Sequence, residues 1–404
     1  VQKGKGLSKT FSVKTLGCKL NQYDSGRISG ALKRCGWVEL PFGEKCDAVI
    51  VNTCTVTDNS DKKCRNYIRR AAQSGDVFVT GCLVSRDRDS VLSIPGVKAA
   101  YSNDEKDNLI IDLEPSASGE SFFSLFGRTR SFLKIQDGCD GKCSYCIVPS
   151  VRGLPRSRNA SEIIDEAKML IENGTPEIVL TGITIGKYND AGTDLASLAA
   201  KIVSLEGNFR IRITSIEPLH LTDALAEIYS HEKIAPHIHL PLQSGSAKVL
   251  SEMNRPYNPK QFIESVERIK RVNDEIAVGT DIMVGFPSEN SADFDETLKI
   301  AEEARFSYIH QFTYSPRAGT VSACMKMEDR NIIAERASAL KKLGDGLMKS
   351  YRERFVGKQL SSVIEDDEAL SGNYIHMKIN EKTDKRISPV RLLDSGCNPN
   401  GELA

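Results

Sequence analysis

The stretch "DGCDGKCSYCIVPSVRG", residues 137–153, sets three cysteines, Cys139, Cys143 and Cys146, within eight positions. "FLKIQ" (132–136), just before it, reads as a strand, so the thiols sit at a strand's carboxyl end, where α/β sheets gather their ligands. A structural zinc site takes four ligands and a disulfide two thiols, and the nearest further Cys or His in sequence are Cys82 and His220. Three thiolates suit a four-iron cluster better: each holds one iron and the fourth stays open to an outside ligand.

Outward from this loop the chain alternates strands and helices. After 132–136, strands are expected at 177–182, 209–215, 236–241, 277–285 and 308–314. Helical patterns fill the gaps, as in "SEIIDEAKMLIENG" (161–174), with a Ser cap in front and a Gly stop behind. Six strand–helix units are too few for a closed eightfold barrel, so the expectation is an open, partial (β/α)6 barrel. A long helix at about 328–355 closes this block, and short strands in 357–379 and 387–396 suit a small OB-like β-barrel. Upstream, "FSVKTLG" (11–17), "DAVIVNT" (47–53) and "DVFVTG" (76–81) read as buried parallel strands, with helices at about 21–35 and 58–74 between them. The fold class is therefore α/β throughout, with a β-barrel appendage. The expected domains are 10–113, a Ser/Gly-rich linker at 114–128, the partial barrel at 129–355 and the β domain at 356–404.

Bulk properties limit the function. The chain has 404 residues, 40% hydrophobic and 27% charged, with zero formal net charge, so no global field marks a nucleic-acid or membrane partner. Residues 1–75 nevertheless hold 14 Lys+Arg against 6 Asp+Glu, which fits either a polyanion-facing surface or a solvated basic face. No apolar run reaches membrane-spanning length. The start, "VQKGKGLSKT", lacks the apolar core of a secretory signal and reads as a disordered lead-in. Eleven cysteines without an export signal point to the reducing cytoplasm, where thiols serve metals or catalysis.

Cys18, Cys54 and Cys82 are scattered, 36 and 28 residues apart, yet each follows an expected parallel strand: "KTLGC", "IVNTC", "FVTGC". A single such cysteine is most simply a small buried hydrophobe. Three at matching strand ends point to shared metal ligation. Cys35, Cys46, Cys64, Cys324 and Cys397 have no such placement and are taken as ordinary thiols.

CxxxCxxC is the signature of radical S-adenosylmethionine enzymes. Two three-cysteine sets on adjoining α/β domains, only one of them CxxxCxxC, followed by a small β-barrel, resemble the methylthiotransferase family. The resemblance is carried by "TLGCKLNQYDS", "VNTCTVT", "TGCL", "DGCDGKCSYCIVPSVRGLPRSR", "HLPLQSGS", "VGFPSE" and "YSPRAGT". It implies two 4Fe–4S clusters, one on Cys139, Cys143 and Cys146 that binds S-adenosylmethionine and one on Cys18, Cys54 and Cys82 that can hold a sulfur atom. One S-adenosylmethionine then donates a methyl group, and another gives the 5′-deoxyadenosyl radical that activates a C–H bond. The cofactor supplies the hard chemistry; the protein binds, orients and excludes water. Residues expected to touch S-adenosylmethionine are Tyr145 in the loop, Thr181 and Gly182 in "LTGITIG", Glu217 in "SIEP" and Gln243 in "LQSG". Gly182 is expected to let backbone approach the ligand closely. No catalytic residue beyond the cluster ligands is singled out.

"GCKLNQYDS" is similar to the branch acting on threonylcarbamoyladenosine in tRNA, next to the anticodon. The tail after 356 resembles the TRAM module, which in this family helps hold the substrate. Expected RNA contacts are Lys62, Arg65 and Arg69, a basic stripe on one helix, with Arg156 and Arg158 in "RGLPRSR" and Lys385 and Arg386 in the tail. Arg152 is open to three readings, facing RNA, a cofactor carboxylate or solvent; Lys378 and Arg391 are further tail candidates. The resemblance also implies a reductant such as a flavodoxin or ferredoxin, a sulfur donor, and a monomer.

Alternatives stay open. Residues 357–404 hold 6 Lys+Arg against 8 Asp+Glu, which suits a basic ribosomal-protein substrate better than RNA. Isopentenyladenosine in tRNA is a third substrate. A non-catalytic iron–sulfur protein that binds RNA or transfers electrons would want saturated coordination, which two three-cysteine sets do not provide. Plain radical methylation leaves the first triad without a task.

Overall fold

Burial drives the first sheet. Ala48–Thr53 (β3) is buried at every position, and its neighbours Thr10–Thr15 (β1) and Asp76–Gly81 (β4) cover its two edges in parallel. Val38–Glu39 (β2) and Val97–Tyr101 (β5) complete the order β2-β1-β3-β4-β5. β5 escapes sequence reading because its burial is only partial along most of its length. Helices Lys19–Arg34 (α1) and Asp58–Ala71 (α2) lie between the first strands, as their apolar periodicity requires.

These are the elements of a computed structural model of the chain, which describes residues 8–117, 129–381, 383 and 386–404. The expected lead-in (1–7) and most of the linker (118–128) lie outside the described residues. The chain divides into two compact units. Among the described residues, one is built on those up to Ala117 with Gly138–Asp140 and Cys146–Leu154; the other on those from 129 to Asp137, Gly141–Tyr145 and those from Pro155 onward.

In the second unit six parallel strands follow one another: Arg130–Lys134 (β6), Glu177–Thr181 (β7), Arg210–Ile213 (β8), His237–His239 (β9), Ala277–Val284 (β10) and Tyr308–Thr313 (β11). β6 to β8 form one sheet and β9 to β11 another, with the bridges Ile211↔Ile234 and Ser215↔His239 joining them. This is the open six-stranded barrel the sequence implies. Helix Ala160–Glu172 (α3) ends at Gly174 (φ +75), but its cap is Asn159, not Ser161. Asn159 accepts from the backbone N–H of Ser161 and Glu162, whereas Ser161 already sits inside the first turn. Pro259–Val272 (α4), Ser291–Ala304 (α5) and Arg330–Glu353 (α6) complete the helical layer. Gln359–Glu365, Glu368–Ser371, His376–Ile379, Ile387–Leu392 and Asn400–Leu403 (β12–β16) close into a five-stranded barrel.

A buried ionic knot ties that barrel to the strands. Glu177, fully buried, accepts from Arg210 Nε at 2.6 Å and from Arg212 Nη2 at 2.9 Å. The same guanidiniums donate outward to the carbonyls of Ser361, Leu370, Ser371 and Gly372. Every charge is paired and every donor directed, the condition for burying ions.

Candidate active site

Register brings the first triad together. Thr53 pairs with Gly81 across β3 and β4, so Cys54 and Cys82 leave adjacent strand ends together. Gly17 adopts φ +103, and a Cβ there would lie 2.8 Å from Cys54 Cβ and 3.2 Å from its Sγ, so Cys18 follows a backbone pressed against Cys54. Gly81 is similar: φ is +101, and a Cβ would meet Thr53 O at 2.5 Å. Both Gly–Cys pairs thus demand glycine. Burial pushes the Cys54 thiol up, and nearby Cys82 and Cys18 oppose its ionisation further.

Side chains absent from the sequence reading frame this triad. Asn21 Nδ2 donates to Leu16 O and Thr53 O, pinning two strand ends, while its Oδ1 accepts from Arg152 Nη2 at 2.6 Å. Arg152 is therefore buried in the first unit, with Nη2 4.0 Å from Cys18 Sγ. That decides among its three readings: it faces neither RNA nor solvent. Asn103 Nδ2 donates to Val151 O at 2.8 Å and lies 3.5 Å from Cys82 Sγ. Cys64, taken above as an ordinary thiol, is fully buried; it accepts from Cys54 N and donates to Cys54 O, both at 3.3 Å.

The CxxxCxxC loop is fixed at several points. Gly138 (φ +77) leaves no room for a Cβ against Leu154 O, and Cys139 N donates to Gly153 O. Ser144 N and Oγ donate to Met253 O and Glu252 O, and Asn254 Nδ2 donates to Lys142 O. Arg255 Nη1 donates to Cys143 Sγ at 3.3 Å, and its Nη2 pairs with Glu217. Burial raises the Glu217 carboxyl above its ordinary range, partly offset by Arg255. Tyr145 packs edge-on against Phe286. Gln243, at φ +64, has a buried Oε1 without a hydrogen-bond partner among the described residues. Thr181 is buried. At Gly182 a Cβ would meet Ile185 at 2.5 Å and Gln136 O at 2.9 Å, so this turn requires glycine. Gln136 Oε1 accepts from Ile183 N and Thr184 N, a clamp the sequence did not reveal. Arg255 went unread too, although its turn "MNRPYN" is visible punctuation.

Among the described residues, no three His, Cys, Asp or Glu side chains gather tightly enough to hold one metal ion. Thiolates that each hold a different iron need only surround the cluster, and the six cysteines of the two triads take part in no disulfide.

The basic residues are dispersed. Lys62 and Arg69 are exposed, but Arg65 is engaged by Asp87 at 3.6 Å and Ser90 at 3.3 Å. Arg158 donates to Lys134 O and Glu166 Oε2. Arg156 and Arg386 are exposed, Arg386 donating to Gly174 O, and Lys385 lies outside the described residues.

Comparison with known proteins now adds to this geometry. Residues 133–301 match the Radical SAM superfamily and residues 10–101 the Uncharacterized protein family UPF0004. The chain is 36% identical over 383 residues to the Bacillus subtilis (strain 168) "Threonylcarbamoyladenosine tRNA methylthiotransferase MtaB", covering 88% of this chain and 85% of that protein. The chain belongs to the radical S-adenosylmethionine methylthiotransferases. Another member of this family, the Frankia alni "tRNA-2-methylthio-N(6)-dimethylallyladenosine synthase", is 32% identical, with 89% of this chain and 78% of that protein covered. The radical S-adenosylmethionine methyltransferase TsrM from Kitasatospora setae shares the fold, at TM-score 0.59 and 12% identity over 75% of this chain and 73% of that one. Methylthiotransferases work with S-adenosylmethionine and 4Fe–4S clusters, and the donor set here fits both. Among the described residues no helix is long and apolar enough to cross a membrane.

Proposed function

We propose that this methylthiotransferase places a methylthio group on C2 of N6-threonylcarbamoyladenosine, next to the anticodon of tRNA. The observation that carries the reading is the 36% identity to a protein named for that reaction, in a chain whose sequence holds two cysteine triads. Cys139, Cys143 and Cys146 would hold the cluster that binds S-adenosylmethionine, and Cys18, Cys54 and Cys82 the auxiliary cluster. When bound, these groups supply the radical, the methyl group and the sulfur.

The chain's own residues bind and orient. Arg255 sets a positive charge against Cys143 and Glu217, where an amino-acid headgroup would lie. Gln243 Oε1 stands ready for a ligand hydroxyl. Asn21 and Arg152 brace the strand ends that carry Cys18 and Cys54. Exposed Lys62, Arg69, Arg156 and Arg386 supply phosphate contacts. A flavodoxin- or ferredoxin-like reductant, a separate sulfur donor, a cytoplasmic setting and a monomeric chain complete the reading. A second reading is favoured by the exposed turn Glu365, Asp366, Asp367 and Glu368, which suits a basic ribosomal protein.

Anaerobic reconstitution with iron and sulfide, then reduction with S-adenosylmethionine and bulk tRNA, tests this by nucleoside mass spectrometry. The methylthio derivative of threonylcarbamoyladenosine is expected, and Cys54→Ala should abolish it while still cleaving S-adenosylmethionine. Cleavage with untouched tRNA would overturn the substrate and direct the search to the ribosomal protein.

A further inference from the structure

We propose that Arg152 and Asn103 are positioning residues of the auxiliary cluster, N–H donors that hold the sulfurs of Cys18 and Cys82 and tune the cluster's reduction potential; this rests on the ligand assignment proposed above.

Both donors belong to the compact unit that carries the first triad. Arg152 closes the short helix Val148–Arg152, and Asn103 opens the turn that follows β5. Arg152 is only 2% exposed, a cation that burial alone disfavours. Its Nη2 donates at 2.6 Å to Oδ1 of Asn21, in the first turn of α1, the helix capped by Cys18. The same nitrogen lies 4.0 Å from Cys18 Sγ, the reach of a long hydrogen bond to sulfur. At that range a full charge acts on a thiolate by Coulomb attraction, however long the bond.

Asn103 divides its amide in the same way. Nδ2 donates to Val151 O at 2.8 Å and lies 3.5 Å from Cys82 Sγ, so its two hydrogens serve the helix and the thiol. Cys82 also packs with Ile147 and Val151, an apolar contact that holds the helix in place. Cys54 is treated differently. Its own N–H is spent on Cys64 Sγ, and Cys64 returns its S–H to Cys54 O, which grips the peptide rather than the sulfur. Two of the three sulfurs thus receive outside donors, and both donors meet at Val151 and Arg152.

Hydrogen bonds to cysteine sulfur favour the more negative, reduced cluster and raise its potential. They also fix the direction from which each sulfur reaches its iron, as outer-shell donors do at other metal sites. The helix begins two residues after Cys146, a ligand of the other cluster in the same assignment. Segment 146–152 therefore carries a ligand of one cluster and the charge that steadies the other.

The test uses the full chain with Cys139→Ala and Cys143→Ala, which leaves Cys146 and the helix in place and only the auxiliary cluster to reconstitute. A redox titration followed by EPR reads its potential. Arg152→Gln should shift the one-electron equilibrium about tenfold toward the oxidised cluster, a potential lower by about 59 mV. Arg152→Lys keeps the charge and should stay within about threefold of the unaltered side chain. Asn103→Ala, at a half-buried site, should shift the equilibrium about threefold in the same direction as Arg152→Gln, the size of a neutral hydrogen bond. Lower iron content with an unshifted potential in the clusters that do form is the signature of a merely structural role, and overturns the inference. If Arg152→Gln does not fold, the native side chain still answers. Arginine labelled with 15N in the guanidinium should couple to the reduced cluster in pulsed EPR, and a cluster without that coupling overturns Arg152 as a donor. Failure of the double variant to take up any cluster would instead bring down the ligand assignment, and this inference with it.

Discussion

Arg255 links Cys143 to Glu217: one guanidinium nitrogen lies 3.3 Å from the thiol and the other pairs with the carboxylate. Burial works against the Arg255 charge, and Tyr257, Tyr145, Glu217 and Cys143 more than compensate, so the group stays cationic. Arg255→Gln removes that charge and leaves Glu217 buried without its counter-ion. Formation of 5′-deoxyadenosine should fall about tenfold or more, the scale of a lost charge-assisted hydrogen bond, with iron content retained. Arg255→Lys should recover part of it. An unchanged rate in Arg255→Gln would remove this residue from the site.

The ionic knot at Glu177 makes a prediction about stability. Glu177→Gln leaves Arg210 and Arg212 buried beside a neutral amide, at a cost of about 3–5 kcal/mol. Burial alone would raise the Glu177 carboxyl, but Arg212 and Arg210 hold it down at about 2, against an ordinary value of 4.5. A lowered folded-state value means stabilisation is complete above about 4.5 and is lost as pH falls from there through about 2. Denaturant melts between those limits should show a shallower pH dependence in the variant. Equal slopes would show that the knot does not govern acid stability.

Gly81 and Gly43 make a controlled pair. Both have positive φ, +101 and +108, but a Cβ meets Thr53 O at 2.5 Å in the first and nothing within 4 Å in the second. Gly43→Ala should cost only backbone strain, about 1 kcal/mol. Gly81→Ala must also push β3 and β4 apart beside Cys54 and Cys82. It should lose the auxiliary cluster, about half of the bound iron. Full iron in Gly81→Ala would argue against the ligand assignment.

Thiol chemistry separates the eleven cysteines. Burial pushes Cys64 up to about 12, so at pH 8 only about one part in ten thousand is thiolate. Iodoacetamide should spare Cys64 in the folded chain while labelling the exposed Cys324 and Cys397. Cys18, also exposed, should be labelled without iron and protected after reconstitution. Peptide mass spectrometry reads each site, and equal labelling of Cys18 in both forms would count against its role as a ligand.

The sequence by itself determined the strand–helix order, the fold class and the two cysteine triads, because these follow from local periodicity and from spacing along one chain. The strand ends bearing Cys18, Cys54 and Cys82 could be placed on one sheet edge, since parallel strands share a carboxyl edge whatever their details. The partly buried β5 was not legible, nor was the true cap of α3, where Asn159 reaches two backbone N–H groups before Ser161 can act. Partner choice belonged to tertiary structure alone. Arg152 turned to Asn21, Arg65 to Asp87, Arg255 to Cys143 and Glu177 to two arginines, because a long charged side chain takes whatever group folding brings within about 3 Å. Sequence distance carries no information about that: Arg152 and Asn21 are separated by 131 positions, and only the packed chain makes them neighbours.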